Sequence, residues 1–344
     1  MIERRIKSLV FGAAVLGATA APPPAACAAD DNSTLALVVE NDVFFEADHD
    51  YTNGVQLSWV TKGGIQTVED IAAFLVPSFP VAGGCAGVTC DLRANYALGQ
   101  NMYTPRDISL ANPPLNDRPY AGWLYASIGL VAATKFDDVL TRFDRFQLQA
   151  GIVGPGALCE QTQTEVHEII DSQIPNGWDT QLKDEPGIVL TYERSWRYRD
   201  DDLPLGLEFD FTPHLGGALG NVSIYANGGA TFALGWELGE YAGPPRIEPS
   251  TPGSTYFEPA DGVSFYLFAS ADGRVVGRNI FLDGNTWKDS RHVEKEVLVV
   301  DTQIGWAVAY DRARLAFSHV FRSREFKSQS DPDEYGSVSL TVAF

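Results

Sequence analysis

Basic residues and long apolar runs are both scarce in this chain. Lysine and arginine number 25 against 45 aspartates and glutamates, which gives a formal net charge of −20 at pH 7. Such an acidic protein repels a phosphate backbone, so we expect no nucleic-acid partner. Beyond residue 29 the sequence has no apolar run of the roughly 18 residues that a membrane-spanning helix needs. These absences leave a secreted protein or a membrane β-barrel.

The first 29 residues are organised like a secretory signal peptide. A basic start is followed by an apolar stretch and then by small residues: Arg4, Arg5 and Lys7; residues 9–20; residues 26–29. Lipidation at Cys27 is the alternative, but Pro24 fits a lipoprotein signal poorly. We therefore predict a signal peptide over residues 1–29 and a single exported domain over residues 30–344.

Cysteine is also rare, with four in the whole sequence. Export would place Cys85 and Cys90, in "CAGVTC", in an oxidising compartment, where they are close enough in sequence to form a small disulfide loop. A metal site is the other use of such a pair, but no second cysteine pair or neighbouring histidine supports it. Cys159 has no partner in this scheme.

Apolar and polar residues alternate with a period of two along much of the exported chain. Examples are "RFQLQAGI", "GIVLTYERSWRY" and the terminal "YGSVSLTVAF", which ends on an aromatic residue as outer-membrane proteins do. Such runs number about a dozen. A soluble β-sandwich shows the same alternation, but the strand count and the polar residues on one face favour a barrel lumen. Those polar residues include Gln147, Gln149, Glu193, Arg197, Glu208 and Asp210.

Several tryptophans suit the aromatic girdles of a membrane barrel, although aromatic residues also fill soluble cores. They are Trp59, Trp123, Trp196, Trp236 and Trp306.

One segment breaks the strand pattern. In "GPGALCEQTQTEVHEIIDSQIPNGW", residues 154–178, apolar residues recur at helical spacing. The segment opens after Gly154-Pro155 and stops before Pro175, so we predict a helix of about four turns. It carries His167 beside its apolar stripe, from which an imidazole can face a cleft between helix and barrel wall. On spacing alone, a surface or hydrogen-bonded core histidine is the more common explanation.

The acidic stretch "ENDVFFEADHDYTNG" joins two strand-like runs. Its oxygens are donors that calcium prefers, although their spacing is not that of an EF-hand; a solvated acidic loop is the alternative. The "YTNG" at its end is predicted to be a turn, with Asn53-Gly54 free to take positive φ. No Gly-x-Ser-x-Gly elbow or phosphate-binding glycine loop occurs. A hydrolase of this sequence would therefore use a histidine-activated water and a metal.

Five blocks taken together resemble the lipid A 3′-O-deacylase family of outer-membrane proteins. They are "ENDVFFEADHDYTNGVQLSW", "GQNMYTPRD", "NDRPYAGWLYASIG", "GPGALCEQTQTEVHEIIDSQIPNGWDTQLKDEPG" and "RNIFLDGNTW". The resemblance implies an all-β fold, a transmembrane antiparallel barrel of twelve strands with a short active-site helix in an extracellular loop.

The resemblance also implies roles for four residues. His167 matches the general base that activates water against the ester of the 3′-linked acyloxyacyl group, and Asn41 matches a residue that supports this step. Asp42 matches the family's Ca²⁺-binding carboxylate, and Thr52 matches an active-site residue near the metal. Ca²⁺ would stabilise the charge that develops on the carbonyl oxygen. The basic residues considered for the lipid A phosphates are Arg106, Arg118 and Lys183, each of which also fits a plain rim charge.

The leading hypothesis is therefore a calcium-dependent outer-membrane esterase that acts on lipid A of lipopolysaccharide, as a monomer among outer-membrane lipids. One alternative is an outer-membrane phospholipase, against which the lack of a serine nucleophile block counts. The other is a non-catalytic barrel, either a pore or a structural protein. A pore would be indifferent to His167 and calcium, whereas the esterase would lose activity with either.

Overall fold

A computed structural model describes residues 33–42, 50–76, 79–80, 89–239, 243, 246–247, 253–258 and 260–344. The predicted signal peptide lies outside these residues, as does the acidic stretch between Asp42 and Asp50. Cys85 lies outside them too, so its disulfide with Cys90 stays a prediction.

The alternating runs of the sequence form twelve strands, each antiparallel to its neighbour, and the last strand closes on the first. In chain order they are β1 (Thr34–Asn41), β2 (Asp50–Lys62), β3 (Thr89–Thr104), β4 (Ala121–Lys135), β5 (Leu140–Val153), β6 (Glu185–Asp200), β7 (Glu208–Gly220), β8 (Ser223–Trp236), β9 (Ala260–Asn279), β10 (Leu298–Asp311), β11 (Ala313–Arg322) and β12 (Asp333–Ala343). Closure pairs both edges of every strand, so the wall has no free edge. The predicted twelve-stranded β-barrel is confirmed.

An even number of strands brings both ends of the barrel sequence to one rim, which we call the lower rim. The α-helices of the described residues lie in the connections between strands. They are α1 (Gln66–Leu75) after β2, α2 (Cys159–Ile170) after β5 and α3 (Ile280–Asp283) after β9. The antiparallel order puts α1 at the lower rim and puts α2 and α3 at the opposite, upper rim. None of these helices is long and apolar enough to cross a membrane.

The lumen face of the wall is polar and internally hydrogen-bonded. Gln147 donates to the Ser127 hydroxyl at 3.0 Å, and Arg145 pairs with Glu193 at 3.2 Å. The polar residues predicted for this face lie on it, because strand alternation places them opposite exposed apolar residues such as Leu148.

The outer face is apolar and exposed. Trp59 and Trp236 are about half exposed there, as predicted for girdle residues. Trp123 departs from that prediction: it faces the lumen and stacks on Tyr125, with ring centroids 5.6 Å apart. Successive side chains of β4 point to opposite faces of the wall, so Leu124 points outward and its neighbour Trp123 points into the lumen.

The connection between β8 and β9 folds into the lumen, and we call residues 246–247 and 253–258 of this connection the lumen segment. Its upper part reaches the upper half of the barrel, where the Ile247 amide donates to Glu40 Oε1 at 2.8 Å. Arg246 beside it donates to the buried carboxylate of Asp301.

The lower part of the lumen segment contacts the wall on several sides. The Thr255 and Ser58 hydroxyls lie 3.0 Å apart. Arg93 of β3 stacks on the Tyr256 ring, 3.9 Å from its centroid, and Arg314 of β11 donates to the Tyr256 carbonyl at 3.5 Å. Together these contacts attach the lumen segment to several strands of the wall, from the lower rim upward.

Candidate active site on the outer wall

The upper end of β1 carries the first two predicted site residues. Glu40 points into the lumen and is buried, so alternation along the strand places Asn41 on the outer face. Asn41 is the last residue of β1 and pairs with Asn53 of β2 and Gly336 of β12. Asp42 follows directly and is 1% exposed. The Asn-Asp pair thus lies at the upper rim, with Asn41 directed away from the lumen.

The "YTNG" block belongs to β2 and is not the predicted turn. The pairing of β2 with β3 shifts register between Tyr51 and Asn53, so Thr52 is the extra residue of a β-bulge. The bulge lets Tyr51 face the lumen, where its hydroxyl donates to Glu40 at 2.8 Å. The Thr52 hydroxyl lies 2.7 Å from that of Thr104 at the end of β3.

The glycine of this block serves close packing. A Cβ on Gly54 would lie 2.0 Å from the Tyr51 hydroxyl oxygen, so only glycine leaves room for that ring. Gly54 is not among the residues with positive φ, which corrects the prediction made for Asn53-Gly54. Because Asn53 pairs with Asn41, the structure brings Asn41, Asp42 and Thr52 to one part of the rim.

Helix α2 is seated on the outer wall of β3 and β4. The Cys159 thiol at its start lies 3.5 Å from the Asn101 carbonyl oxygen of β3. Gly122 of β4 leaves the space for this contact, since a Cβ there would come within 2.6 Å of Cys159 Sγ. Just before the helix, Gln100 Nε2 donates to the Ala157 carbonyl at 2.7 Å. The first turn of α2 is thereby fixed beside the strand that carries Thr104.

The helix is shorter than the four turns predicted. Leu158 before it (φ 60°) and Asp171 after it (φ 55°) both adopt the left-handed conformation, which ends an α-helix on either side. The preceding Pro155–Ala157 forms a separate 3-10 turn. Apolar spacing continues through Leu158, so periodicity gave no sign of this break.

His167 lies in the last turn of α2 and is 5% exposed, so the surface-histidine alternative is wrong. Its Nδ1 contacts the Gln173 carbonyl oxygen. A carbonyl can only accept a hydrogen bond, so Nδ1 carries the proton and Nε2 holds the lone pair. The imidazole is therefore held in one orientation and one tautomer, as either a general base or a structural histidine requires.

Cys159 is a buried free thiol, and burial raises its pKa to about 12. The thiol is therefore protonated at neutral pH and is no nucleophile. Its contribution is packing of α2 on the wall.

The model of one protein family, described as Outer membrane protein LpxR, matches residues 9–344 of this chain. The chain belongs to the LpxR family. Among solved structures, LpxR from Salmonella typhimurium shares the fold, with a TM-score of 0.68 and 20% identity over 90% of this chain and 100% of that chain. The beta domain of the Bordetella autotransporter Brka reaches a TM-score of 0.47 at 8% identity, over 91% of this chain and 98% of that one. No curated protein matches the chain.

Family and fold together place this LpxR-family protein in the bacterial outer membrane. In outer-membrane barrels the longer loops are extracellular, and the longest connection, from Val153 to Glu185, lies at the upper rim with α2. We therefore assign the upper rim to the extracellular side and the lower rim to the periplasm.

Two residues that the sequence did not single out hold the loop of α2 together. Gln163, one turn before His167, accepts a hydrogen bond from Trp178 Nε1 at 2.9 Å. Trp178 packs on Tyr120 with ring centroids 4.7 Å apart. Gln163 Nε2 is buried and has no hydrogen-bond partner among the residues described. The tryptophan that follows "IPNG" was the available signal, since a lone aromatic after a helix commonly anchors it.

A second extracellular connection braces this loop. Glu185, the first residue of β6, accepts from the Thr286 amide and from Asn285 Nδ2, both at 3.0 Å. Asn285 also accepts from the Lys183 amide at 2.8 Å and donates to its carbonyl at 2.7 Å. The "GNTW" of the resembling block "RNIFLDGNTW" therefore supports the loop that ends at β6.

The three basic residues considered for lipid A phosphates differ in position. Arg118 is buried in an ion pair with Glu325 and is not a rim charge. Burial would raise the pKa of Glu325, but Arg118 and Arg322 hold it below its ordinary value. Arg106 lies at the surface and pairs with Asp331 at 3.0 Å, and Lys183 is exposed. Arg106 and Lys183 therefore remain candidates for binding the lipid A phosphates, whereas Arg118 does not.

The donors gathered at the rim are hard oxygens, which fit calcium better than a softer metal. They are the Asp42 carboxylate and the Thr52 hydroxyl, both in a nearly dry environment. The described residues contain no group of three His, Cys, Asp or Glu side chains that would hold a metal. A calcium ion at this position would therefore need hydroxyl and backbone oxygens in addition to the Asp42 carboxylate.

Proposed function

We propose that this protein is a calcium-dependent outer-membrane esterase that removes the 3′-linked acyloxyacyl group of lipid A. The observation that carries the proposal is the position of His167: an imidazole with a fixed tautomer, on a helix that covers the outer wall. A lipid reaches the outer wall by lateral diffusion in the membrane.

In this mechanism His167 Nε2 removes a proton from water as the water oxygen attacks the ester carbonyl carbon. The bond from that carbon to the sugar oxygen then breaks, and the proton passes from the imidazole to the leaving alkoxide. The products are a free carboxylic acid and a sugar hydroxyl. The Gln173 carbonyl stabilises the imidazolium through Nδ1, and the Asn41 amide orients the attacked group.

Asp42 and Thr52 would hold the calcium ion, with the Thr104 hydroxyl fixing the Thr52 side chain. Bound Ca²⁺ would draw electron density from the ester carbonyl oxygen. The buried Gln163 Nε2 is a further donor one turn from the base.

The wall is complete within one chain, so we infer that the enzyme works as a monomer. The lumen segment counts against the pore alternative, because it lies inside the barrel and contacts β1, β2, β3, β10 and β11. A phospholipase would use the same geometry on a different ester, so the product decides between the two lipid substrates.

The test is the mass of lipid A from cells that make equal amounts of wild-type, His167→Ala or Asn41→Ala protein in the outer membrane. We expect loss of the 3′-acyl chains with wild type and a rate lower by on the order of 10²-fold or more for His167→Ala. Glu168→Gln, at the exposed neighbouring position, is the matched control and should retain activity. Equal deacylation by wild type and His167→Ala would reduce His167 to a structural residue, and shortened glycerophospholipids in place of lipid A would favour the phospholipase.

A further inference from the structure

Helix α1 lies on the outside of the barrel, at the periplasmic rim. Leu130 and Ala132 of β4 point outward, yet both are fully buried, as is the outward-facing Ala94 of β3. They are covered by Val68 and Ala72 of α1, with which they form one apolar cluster. The connection between β2 and β3 therefore folds back up over the membrane-facing wall.

The two flanks of α1 differ sharply. Ile71, Phe74 and Leu75 are 46%, 84% and 47% exposed and share one flank, since they are three and four positions apart. Gln66 lies on the opposite flank and donates to Asp70 at 2.9 Å. Asp70 is four positions before Phe74 and therefore lies beside it, on the face turned away from the wall. With Val68 and Ala72 against the wall, one flank of the helix is apolar and exposed while the other is polar.

Charged residues on the same level of the outer wall indicate its depth in the membrane. Asp144 of β5 pairs in register with the covered Ala132, and its side chain is outward-facing. It accepts from Arg142 at 2.8 Å and Arg194 at 2.6 Å, both partly exposed on that face. Charges on the lipid face are costly at mid-membrane and tolerated near the interface. The level of α1 is therefore interfacial.

We propose that α1 is an interfacial helix that lies in the phospholipid leaflet on the periplasmic side of the outer membrane. Ile71, Phe74 and Leu75 insert among the acyl chains, while Gln66, on the flank opposite Leu75, faces the periplasm. The apolar flank is continuous with the lipid-facing wall, so the occupant is the bilayer that the barrel already contacts. A second protein copy fits poorly, because three side chains offer far less than the roughly 800 Å² per partner of a stable interface.

The experiment places a nitroxide label at Leu75→Cys or Gln66→Cys, two exposed positions on opposite flanks of the helix. The background is Cys85→Ser/Cys90→Ser, which leaves the buried Cys159 as the one cysteine of the exported domain. The protein is reconstituted in phosphatidylethanolamine/phosphatidylglycerol vesicles, and collision rates with oxygen and with a water-soluble nickel chelate are measured. We expect the oxygen-to-nickel ratio at position 75 to exceed that at position 66 several-fold. An equal ratio, or a lower one at position 75, would overturn the proposal.

Ile71→Cys provides a second label on the apolar flank, four positions before Leu75, and should match position 75. Heat-modifiable migration on a denaturing gel identifies the folded barrel for each variant, so misfolding is not mistaken for a water-exposed helix. If the folded Ile71→Cys protein is also open to the nickel chelate, α1 lies in the periplasm. Neither readout depends on hydrolysis, so the result stands whatever the activity of the upper rim.

Discussion

Helices α1 and α2 rest on the same two strands, β3 and β4, at opposite ends of the outer wall. Each is seated where the wall has small side chains, Ala94 and Ala132 below and Gly122 above. The residues they present are opposite in kind: α2 buries the polar Gln163 and His167, whereas α1 exposes the apolar Phe74. On the two proposals made above, the buried polar groups serve chemistry and the exposed apolar groups serve a lipid contact, so that one wall would support a reaction at one rim and an anchor at the other.

We expect the largest difference between the upper rim and α1 when the proposed calcium ion is removed from the upper rim. Asp42→Ala should lower lipid A hydrolysis by on the order of 10²-fold at ordinary Ca²⁺ concentrations, because it removes a buried charged ligand. Chelation of the wild-type protein should do the same, and added Ca²⁺ should restore it. Asp70→Ala, which removes an exposed carboxylate on α1, is the control. Full wild-type activity in excess chelator would take the metal out of the mechanism.

A smaller effect should come from moving α2 without touching the predicted catalytic groups. Gly122→Val places carbon atoms where Cys159 Sγ now lies, so the start of the helix must leave the wall. We expect this displacement of α2 to lower the rate of lipid A hydrolysis about 10-fold to 10²-fold, while the barrel remains folded. Ala126→Val, at an exposed outward position of the same strand, is the control. Unchanged turnover in folded Gly122→Val would mean that seating α2 on β4 does not position the base.

The smallest effect is expected at α1. Ile71→Asn/Phe74→Asn should leave the rate in detergent micelles within about twofold of wild type, because surface substitutions remote from a site change little. Rates on dispersed lipid A with purified wild-type and variant protein provide the measurement. A loss comparable with that of Gly122→Val would show that the two helices are coupled through the wall and break the division of roles between them.

Much of the barrel was predictable because strand alternation is a local property. Alternation along β5 predicts that Gln147 faces the lumen and that Leu148 faces outward, and this pattern constrains the register of the strand. The helix around His167 was equally visible, since its polar and apolar residues recur with one period. The family resemblance then supplied roles for these residues, which composition and spacing do not contain.

Other features depend on contacts that no local pattern encodes. The bulge at Thr52 allows Tyr51 to donate a hydrogen bond to Glu40 in the lumen. The sequence "YTNG" by itself favours a turn, because it contains no sign of this distant partner. Arg118 looked like a rim charge because its partner Glu325 lies 207 residues away. Helix α1 is short, and apolar residues on two of its sides blur the helical period. Such features depend on contacts between distant parts of the sequence, so they can be identified only once the structure of the closed barrel is known.

The lumen segment has a consequence for the order of assembly. Its contacts include Glu40 of β1 and, through Arg246, Tyr335 of β12, and these are the two strands whose pairing closes the barrel. The segment contacts both strands at once only when the seam is closed, because β1 and β12 come from opposite ends of the barrel sequence. Closing the seam and docking the segment are therefore one cooperative step, and a segment left outside at that moment would leave Asp301 and Glu40 without Arg246 and Ile247 inside the finished wall.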